Sequence, residues 1–231
     1  MSVLAQKNIL IGVSGGIAAY KIPLLIRKLI KLNSNVKVVM TPSSKEFVTP
    51  LTLSTVSKNE VFSEFTTEKN NNPTWNNHVE LTEWADIFII APATSNTISS
   101  MANASCDNLL LACYLSSKCP VFVAPAMDLE MYKNTLNQKN IKKLILNNTN
   151  VLPVGTGSLA SGLDGEGRML EPDEIIKYVE NKYIETLPLN SLNFLITAGP
   201  THEKIDPVRY IGNSSSGTVS YTHLTLPTKP S

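Results

Sequence analysis

The sequence predicts an α/β fold of the doubly wound class, with a parallel sheet and helices on both faces. Two observations support this prediction: apolar segments of strand length recur between helical patterns, and these segments are continuously apolar instead of alternating with polar residues. Continuous apolar strands are typical of a sheet that is covered on both faces. The expected strands cover residues 9–13, 36–40, 87–91 and 121–124, with a weaker one at 151–154.

Helical patterns follow the first two expected strands. The clearest covers residues 17–32, where Pro23 in the early turns predicts a kink. Farther along the chain, Ser43 and Glu46 have the spacing of a capping box, which predicts a short helix that begins there.

Two later helices complete the repeated pattern. Residues 94–114 predict one long helix, on which Cys106 and Cys113 share an inward face. A helix over residues 173–183 is expected to close the unit, with Pro172 at its first position.

Three segments interrupt this regularity. Residues 66–77 are polar, have little helix or strand tendency, and predict a loop. Residues 155–167 carry five glycines, which predict a mobile flap instead of a packed element. After Pro188, a strand over residues 193–197 is expected to begin a new segment.

Length and composition indicate one soluble enzyme domain and a remnant. The chain has 231 residues, of which 42% are hydrophobic and 17% charged, and its formal net charge is +1. This balance, without a basic cluster, excludes the electrostatic surface expected for binding nucleic acid or an anionic membrane. Because no apolar run reaches about 18 residues and no signal-peptide pattern is found, we expect a cytoplasmic protein.

The cysteines predict neither a metal site nor a disulfide framework. Cys106, Cys113 and Cys119 are too few and too loosely spaced for metal ligands, and their odd number argues against pairing. We expect buried thiols and no bound metal.

Residues 8–21 predict a buried strand, a glycine turn and a helix, which together offer backbone N–H groups to a phosphate. Gly12, Ser14 and Gly16 also satisfy the nucleophile-elbow pattern of α/β hydrolases, although that elbow normally follows several strands. A dinucleotide site would need an acidic residue after the second strand. That strand ends instead in Thr41-Pro-Ser-Ser44, whose hydroxyls suit a terminal phosphate and favour a mononucleotide such as FMN.

Two further positions are candidates for the chemistry. His78 is expected at the mouth of a helix, where an imidazole can exchange a proton near neutral pH. A lone histidine is also commonly a surface or structural residue. Ser95, Asn96 and Thr97 follow the third expected strand, at the edge of an α/β sheet where ligands bind. The same residue types also cap helices without any ligand.

Five motifs occur along the chain: Gly12-Val-Ser-Gly-Gly-Ile-Ala-Ala-Tyr-Lys21, Asn77-His-Val-Glu-Leu81, Pro92-Ala-Thr-Ser-Asn-Thr97, Pro125-Ala-Met-Asp-Leu-Glu-Met-Tyr132 and Gly165-Glu-Gly-Arg-Met169. Their order and spacing resemble those of the flavin-dependent cysteine decarboxylases. Within that family the chain is most similar to the decarboxylase half of the bifunctional decarboxylase/ligase enzymes of coenzyme A biosynthesis, because residues 195–217 resemble the opening of the ligase half.

The resemblance implies a Rossmann-like or flavodoxin-like sheet, bound FMN, and homo-oligomers that are trimers or dodecamers. It implies loss of CO2 from the cysteine carboxylate of 4′-phosphopantothenoylcysteine, a small-molecule substrate, with FMN as the electron sink. The implied cofactor-binding residues are Ser14, Gly15, Gly16, Thr41, Ser43, Ser44, Ser95, Asn96 and Thr97. The implied catalytic residues are His78, Asn96 and Ser161, and the implied substrate-binding residues are Asn96, Asp128 and Met131.

Two positions depart from the family pattern. Asp128 stands where the family commonly has Asn, and an ionised Asp would repel the substrate carboxylate. We therefore expect Asp128 to accept from the substrate amide, to be protonated, or to point away. Ser161 stands where the bifunctional enzymes have a cysteine that supplies a proton, and a hydroxyl is far less acidic than a thiol. We expect Ser161, a water, Asp164 or Glu166 to replace that cysteine.

The expected domains are an FMN-binding decarboxylase domain over residues 1–187, a linker with a truncated ligase start over 188–217, and an unassigned tail over 218–231. Because a ligase core would need many more residues, ligase activity is not expected. The tail is consistent with truncation or a sequence-assembly artefact. The alternative functions are a non-catalytic FMN-binding regulatory protein and a decarboxylase of another cysteine-containing substrate. A flavin prenyltransferase is disfavoured by His78 together with residues 92–97.

Overall fold

The computed structural model describes residues 2–69, 72–158, 162, 164–188, 190, 192–193, 199–216 and 218. One compact unit covers Ser2–Thr186, and a second begins at Leu187. In chain order the strands are β1 Asn8–Val13, β2 Asn35–Met40, β3 Val61–Phe62, β4 Thr66–Lys69, β5 Asn72–Trp75, β6 Ile87–Ala93, β7 Val121–Pro125, β8 Asn150–Val151, β9 Gly155–Ser158, β10 Asp164–Arg168, β11 His202–Lys204 and β12 Tyr210–Gly212. The α-helices are α1 Ile22–Lys31, α2 Pro50–Ser57, α3 His78–Trp84, α4 Ser95–Ala102, α5 Leu109–Ser116, α6 Leu129–Lys133, α7 Thr135–Leu146 and α8 Pro172–Glu185.

Six strands of the first unit form a parallel sheet in the order β3-β2-β1-β6-β7-β8. The two central strands are β1 and β6. In β1, Ile9 lies opposite Val36 of β2 on one side and Ile87 of β6 on the other. The chain order therefore reverses between β1 and β6, which makes this position the topological switch point of the sheet. The predicted doubly wound α/β fold is confirmed.

Helices cover both faces of the sheet. On one face, Ile9 and Ile11 of β1 pack with buried residues of α1, α2 and α8. On the other face, Leu10 of β1 and Phe88 of β6 pack with buried residues of α3, α4, α5 and α7. Because successive strand residues point to opposite faces, two apolar cores require continuously apolar strands.

The first expected helix is divided into two elements. Residues Ile17–Lys21 form a 3-10 helix, and α1 begins at Ile22. Pro23 therefore lies in the first turn of α1, where a backbone N–H would have no partner within the helix. The predicted kink is wrong, because Pro23 lies in the first turn of α1 and removes no hydrogen bond within the helix.

The long helix expected over residues 94–114 is also two helices, α4 and α5. Ala104 follows α4 with a left-handed φ of 55°, and the side chain of Asn108 accepts a hydrogen bond from a backbone N–H of α5. Polar side chains that satisfy backbone groups locally explain the break. Cys106 lies in the exposed connection and Cys113 is buried in α5, so the prediction of a shared helix face is wrong.

We expect Cys106 to be the fast-reacting thiol of the native protein. Burial raises the pKa of the Cys113 thiol to about 12 and also raises the pKa of Cys119. Because the thiolate is the reactive form, both should react slowly near neutral pH. Ellman's reagent should therefore show one fast thiol before unfolding and three after it. A fast phase that persists in Cys106→Ser would contradict this assignment.

Two short elements also differ from expectation. Residues Pro42–Glu46 form a 3-10 helix, and the helix that follows, α2, is capped by Thr49, whose hydroxyl accepts a backbone N–H at 3.1 Å. The predicted capping box at Ser43 is therefore wrong. The strand expected at 151–154 is reduced to the two residues of β8, since Pro153 has no N–H to donate to a neighbouring strand.

Both predicted irregular segments contain antiparallel hairpins. β4 and β5 pair within residues 66–77, and at their base Phe65 stacks on Trp75 with ring centroids 5.7 Å apart. β9 and β10 pair where a mobile flap is expected, and the N–H of Met127 donates to the carbonyl of Gly167 at 3.0 Å. Backbone pairing forms in both segments although their side chains have little strand tendency.

The remaining elements agree with expectation where they are described. Helix α8 confirms the helix expected over residues 173–183, and Pro172 lies in its first turn. Of the strand expected over 193–197, all but Asn193 lies outside the described residues. In the ranges given above, no helix is long and apolar enough to cross a membrane. The same ranges contain no cluster of His, Cys, Asp and Glu that could hold a metal ion.

Candidate functional site

The candidate site lies at the switch point of the sheet. The carboxyl ends of β1, β2 and β6 meet at one edge, where the turn Ser14–Gly16 follows β1. The N–H of Ser14 donates to the carbonyl of Pro92 at 3.3 Å, and the N–H of Thr41 donates to the carbonyl of Val13 at 2.9 Å. These bonds hold the segments that follow the three strands next to one another, at the edge where ligands bind in open α/β sheets.

A polar cleft of about 350 Å³ opens at this edge. Five of the predicted cofactor-binding residues line it together: Gly15, Thr41, Ser43, Asn96 and Thr97. Sequence reasoning missed four other polar residues of its lining: Thr94, Ser100, Asp107 and Asn108. The last two were hidden inside the single long helix predicted over 94–114, and the preference of Asn for helix N-caps is the signal that could have located them.

The polar cleft presents several hydrogen-bonding groups. Thr41 Oγ1 and Ser43 Oγ lie 3.2 Å apart. The side-chain amide of Asn96 is exposed and makes no hydrogen bond within the described chain. Helix α4 also begins here, with Thr94 as its N-cap and its first N–H groups at the edge of the sheet. Hydroxyls, an unengaged amide and a helix N-terminus are suitable partners for a phosphate ester with a polyol chain.

Gly15 and Ser43 approach each other so closely that only glycine fits at the first position. A Cβ atom on Gly15 would lie 2.5 Å from Ser43 Oγ and 2.9 Å from the Ser43 carbonyl carbon. A side chain would therefore push the glycine turn away from the segment that follows β2. The shape of the polar cleft depends on this glycine, as expected of a cradle that brings backbone N–H groups close to a phosphate.

Ser14 uses its hydroxyl within the protein. Its side chain is buried, and its Oγ donates to the carbonyl of Pro92 at 2.7 Å and accepts from the N–H of Thr94 at 3.1 Å. A hydrolase nucleophile would instead expose its Oγ at the sharp turn. The hydrolase interpretation is therefore excluded, and Ser14 joins the end of β1 to the end of β6.

Two other predicted cofactor residues are engaged in the same way. Ser44 is buried and its Oγ donates to the carbonyl of Thr41 at 2.7 Å, while Ser95 Oγ donates to Asn137 Oδ1 at 2.7 Å. Neither residue lines the polar cleft, and Gly16 lines a neighbouring cleft. Cofactor contacts by these residues, and by Ser14, remain predictions.

His78 is the first residue of α3, as the sequence predicts. The side chain of Asn77 caps the helix by accepting the N–H of Val79 at 3.0 Å, and the imidazole meets Phe65 edge-on, with ring centroids 6.5 Å apart. His78 Nδ1 is buried and has no hydrogen-bond partner within the described residues. A buried nitrogen without a hydrogen-bond partner lowers the stability of the fold unless a ligand or another chain supplies the partner. His78 does not line the polar cleft, so this chain does not bring it together with Asn96 there.

The predicted substrate residues Asp128 and Met131 belong to the segment of α6. Asp128 is the N-cap, and its Oδ1 accepts the N–H of Leu129 at 2.9 Å. Sequence reasoning missed Asn137, whose Nδ2 donates to the carbonyl of Met131 at 2.7 Å while its Oδ1 accepts from Ser95. Asn137 therefore ties the segment of Met131 to the first turn of α4, where Asn96 lies.

A second cleft, of about 300 Å³, is lined by Gly16, the residue after Gly15 of the polar cleft. Its other lining residues include Ile17, Tyr20, Lys21, Met127, Arg168 and Met169. Most of this lining is apolar. Lys21 and Arg168 are the charged residues that the described chain contributes to it.

Lys21 and Arg168 share one carboxylate. The Nζ of Lys21 is buried and donates to the carbonyl of Met169 at 3.2 Å and to Glu171 Oε1 at 2.8 Å. Arg168 Nη2 donates to the same oxygen at 2.9 Å. Chiefly through the hydrogen bond from Lys21, these cations lower the pKa of the Glu171 carboxyl below its usual range.

We expect Glu171 to stabilise the fold at neutral pH and to lose this effect in acid. Because its pKa is lower in the folded state, its contribution is complete above the ordinary value of about 4.3 and disappears as the pH falls through the folded-state pKa. Thermal unfolding of wild type and Glu171→Gln should therefore differ at pH 7, and the difference should shrink as the pH falls below about 4 and through the lowered pKa of Glu171. A difference that grows in acid would contradict the ion-pair assignment.

Ser161 lies outside the described residues, so its predicted role as proton donor stays a prediction. Asp164 and Glu166, the alternative donors, are exposed residues of β10. Gly167 of the same strand has a φ of 129°, and a Cβ there would lie 2.3 Å from the carbonyl oxygen of Met127. Glycine is therefore required where β10 passes the segment of α6.

Two family models match the chain. The model described as "Flavoprotein" matches residues 2–184. The model described as "DNA/pantothenate metabolism flavoprotein C-terminal domain" matches residues 189–223, which extends past Gly217. The two matches meet near the boundary between the compact units.

Curated proteins and solved structures show the same similarity. The chain is 41% identical over 221 residues to the coenzyme A biosynthesis bifunctional protein CoaBC of Bacillus subtilis (strain 168). The aligned residues are 95% of this chain and 54% of that protein. It is 49% identical over 174 residues to a cysteine/cysteine sulfinic acid decarboxylase of an unknown prokaryotic organism, covering 74% of this chain and 48% of that protein. The chain thus spans about half the length of these relatives. A solved structure of a PPC decarboxylase mutant complexed with pantothenoylaminoethenethiol is 31% identical with a TM-score of 0.67, over 77% of this chain and 98% of that chain.

Proposed function

The chain belongs to the flavoprotein family, and from this premise we propose that residues 2–184 bind FMN and decarboxylate 4′-phosphopantothenoylcysteine to 4′-phosphopantetheine in coenzyme A biosynthesis. The observation that carries the proposal is the convergence of five predicted cofactor residues in the polar cleft at the switch point. Similarity to the bifunctional protein of Bacillus subtilis and to the PPC decarboxylase structure supports the choice of substrate.

The residues of the polar cleft fit FMN. Thr41, Ser43 and the first N–H groups of α4 would hold the phosphate, which Gly15 allows to approach the backbone. Asp107 would accept hydrogen bonds from the ribityl hydroxyls. When bound, FMN supplies the electron sink that an unactivated carboxylate lacks.

Protein side chains would perform the remaining tasks. The Asn96 amide, which has no partner within the described chain, would donate to the substrate carboxylate and orient it. His78 would hold and transfer a proton, and no hydrogen bond from the described residues fixes which of its nitrogens carries that proton. The occupant of the site would therefore set the tautomer.

We propose that the active protein is a homo-oligomer, a trimer or dodecamer, located in the cytoplasm with the pathway it serves. The position of His78 outside the polar cleft of its own chain supports an oligomer, because a neighbouring subunit could bring the two together. Mixing His78→Asn subunits with Asn96→Ala subunits tests this arrangement. Shared sites would recover part of the activity, whereas sites within one chain would recover none.

Purification followed by a decarboxylation assay tests the proposed function. The expected result is a yellow protein that releases FMN on denaturation and forms CO2 and 4′-phosphopantetheine from 4′-phosphopantothenoylcysteine. Accumulation of an oxidised enethiol product would show that the last proton delivery, assigned to Ser161 or its substitutes, fails. Colourless protein that does not take up FMN would overturn the proposal.

A second candidate function is decarboxylation of a smaller cysteine-containing substrate. It is favoured by the 49% identity to the cysteine/cysteine sulfinic acid decarboxylase. Comparison of kcat/KM for free cysteine and for 4′-phosphopantothenoylcysteine distinguishes the two. FMN binding without CO2 from either compound would favour a non-catalytic flavoprotein.

We also propose the domain division 1–187, 188–217 and 218–231, with the second range as a linker and the start of a ligase domain. The match of residues 189–223 to the C-terminal family model supports the ligase relationship of the second range and extends six residues into the third.

A further inference from the structure

The second cleft combines apolar walls with cationic groups. Ile17, Met127 and Met169 supply apolar surface, and the charged residues that the described chain contributes to the lining are Lys21 and Arg168. An apolar cleft that carries cations is suited to a ligand with an apolar body and an anionic end. A neutral or cationic ligand would leave these two cations with Glu171 as their one shared carboxylate among the described residues.

Among the described residues, the ion pairs of this cleft hold more positive than negative charge. Lys21 and Arg168 both contact Glu171, so two cations face one carboxylate among the described ion pairs. Lys21 is 6% exposed and is held in place, whereas the Arg168 side chain is 39% exposed. Arg168 is therefore the group that can turn part of its guanidinium toward a ligand. A guanidinium offers five donors, and Glu171 occupies only part of them.

The position of the cleft relates it to the proposed substrate site. Gly15 lines the polar cleft and Gly16 lines the second cleft, so both clefts reach the same glycine turn. Met127, which precedes the predicted substrate residue Asp128, lines the second cleft and donates its N–H to Gly167. A ligand with its reacting end near the polar cleft can therefore extend into the second one.

We propose that the second cleft binds the phosphorylated pantothenate arm of the substrate and that Arg168 contacts the phosphomonoester. This inference rests on the proposed function and assigns the site that selects a phosphorylated substrate. Ile17 and Met169 pack against the branched alkyl part of the arm, and Arg168 donates charge-assisted hydrogen bonds to the phosphate. Arg168 is then a specificity-determining residue and takes no part in bond breaking.

The test compares kcat/KM for 4′-phosphopantothenoylcysteine with that for the dephosphorylated pantothenoylcysteine. In wild type the phosphorylated substrate should be preferred, and in Arg168→Met this preference should fall by about tenfold or more, as expected for the loss of one charge-assisted hydrogen bond. Arg168→Lys should recover part of it. The control is Lys118→Met, which removes a surface cation paired with Glu83 and should leave the preference unchanged.

A second pair of variants keeps the test independent of the fold around Arg168. Tyr20 lines the cleft and is 60% exposed, so both Tyr20→Glu and Tyr20→Gln should fold. They differ only in charge, and Tyr20→Glu alone should repel the phosphate and lower the preference. Calorimetric titration of each protein with 4′-phosphopantetheine and, separately, with pantetheine measures affinity without turnover. The ratio of the two affinities should change in the same way as the preference.

The outcomes separate this inference from the proposed function. If wild type decarboxylates neither compound, the proposed function fails. If it decarboxylates both and the preference is the same in wild type, Arg168→Met and Tyr20→Glu, the function stands and the phosphate site is overturned. A loss of activity on both substrates to the same degree in Arg168→Met, with the preference retained, would also overturn it.

Discussion

Replacement of His78 by Asn is expected to lower kcat for decarboxylation by about 100-fold or more, the usual effect of removing a general acid or base. Asn retains hydrogen-bonding groups of similar size but cannot bind or release a proton near neutral pH. Because His78 does not line the polar cleft, the variant should still bind FMN. The measurement is CO2 release per bound flavin, with visible absorbance as the check on flavin content.

The matched control is the same substitution at His202. This residue lies in β11 of the second unit and stacks on Tyr210 with ring centroids 4.3 Å apart. His202→Asn should leave both turnover and flavin content unchanged. Full turnover by His78→Asn would remove His78 from the mechanism, and loss of flavin from that variant would indicate that its role is structural.

The strands were predictable because a sheet buried on both faces leaves a simple signal. Every residue of β6 is buried, and a continuous apolar run of this length is typical of a strand between two layers of helices. The break between α4 and α5 was not predictable from apolar periodicity, since Ala102 and Leu109 are buried on both sides of it. It depends on local polar groups, among them the Asn108 side chain, that compete with the helix for backbone hydrogen bonds.

The site was predictable as a location but not in every contact. Strand ends identify the edge of the sheet, and by that reasoning Thr41, Ser43 and Asn96 are expected near one another, as they are in the lining of the polar cleft. Which hydroxyls face that cleft depends on partners distant in sequence. Ser14 bonds to Pro92, and Ser95 bonds to Asn137. No spacing rule within a motif contains those partners, so motif reasoning could not show that both hydroxyls are engaged within the chain. Their assignment to the cofactor stays a prediction.

Substitution of Ala for Gly15 is expected to remove bound FMN. The added Cβ would lie 2.9 Å from the Ser43 carbonyl carbon, a backbone atom that cannot rotate away as a side chain can. The glycine turn or the segment after β2 must therefore shift, and the donors around the phosphate would separate. Loss of one charge-assisted hydrogen bond corresponds to about a tenfold decrease in affinity or more. Flavin released per chain and fluorescence titration with FMN measure this effect.

The neighbouring glycine provides the control for that substitution. Within 4 Å, a Cβ on Gly16 would meet one atom of the described residues, Thr94 Cγ2 at 3.1 Å. The Gly16 backbone is extended, with a φ of −165° that any residue adopts. Gly16→Ala should therefore keep most of its flavin, although both variants add one methyl group to the same turn. The hydrophobic cores lie on the two faces of the sheet and not in this turn. The unfolding temperature of apo Gly15→Ala should therefore stay close to that of the apo wild type while its FMN affinity falls. Equal flavin binding by Gly15→Ala and wild type would show that the phosphate does not lie between this turn and Ser43.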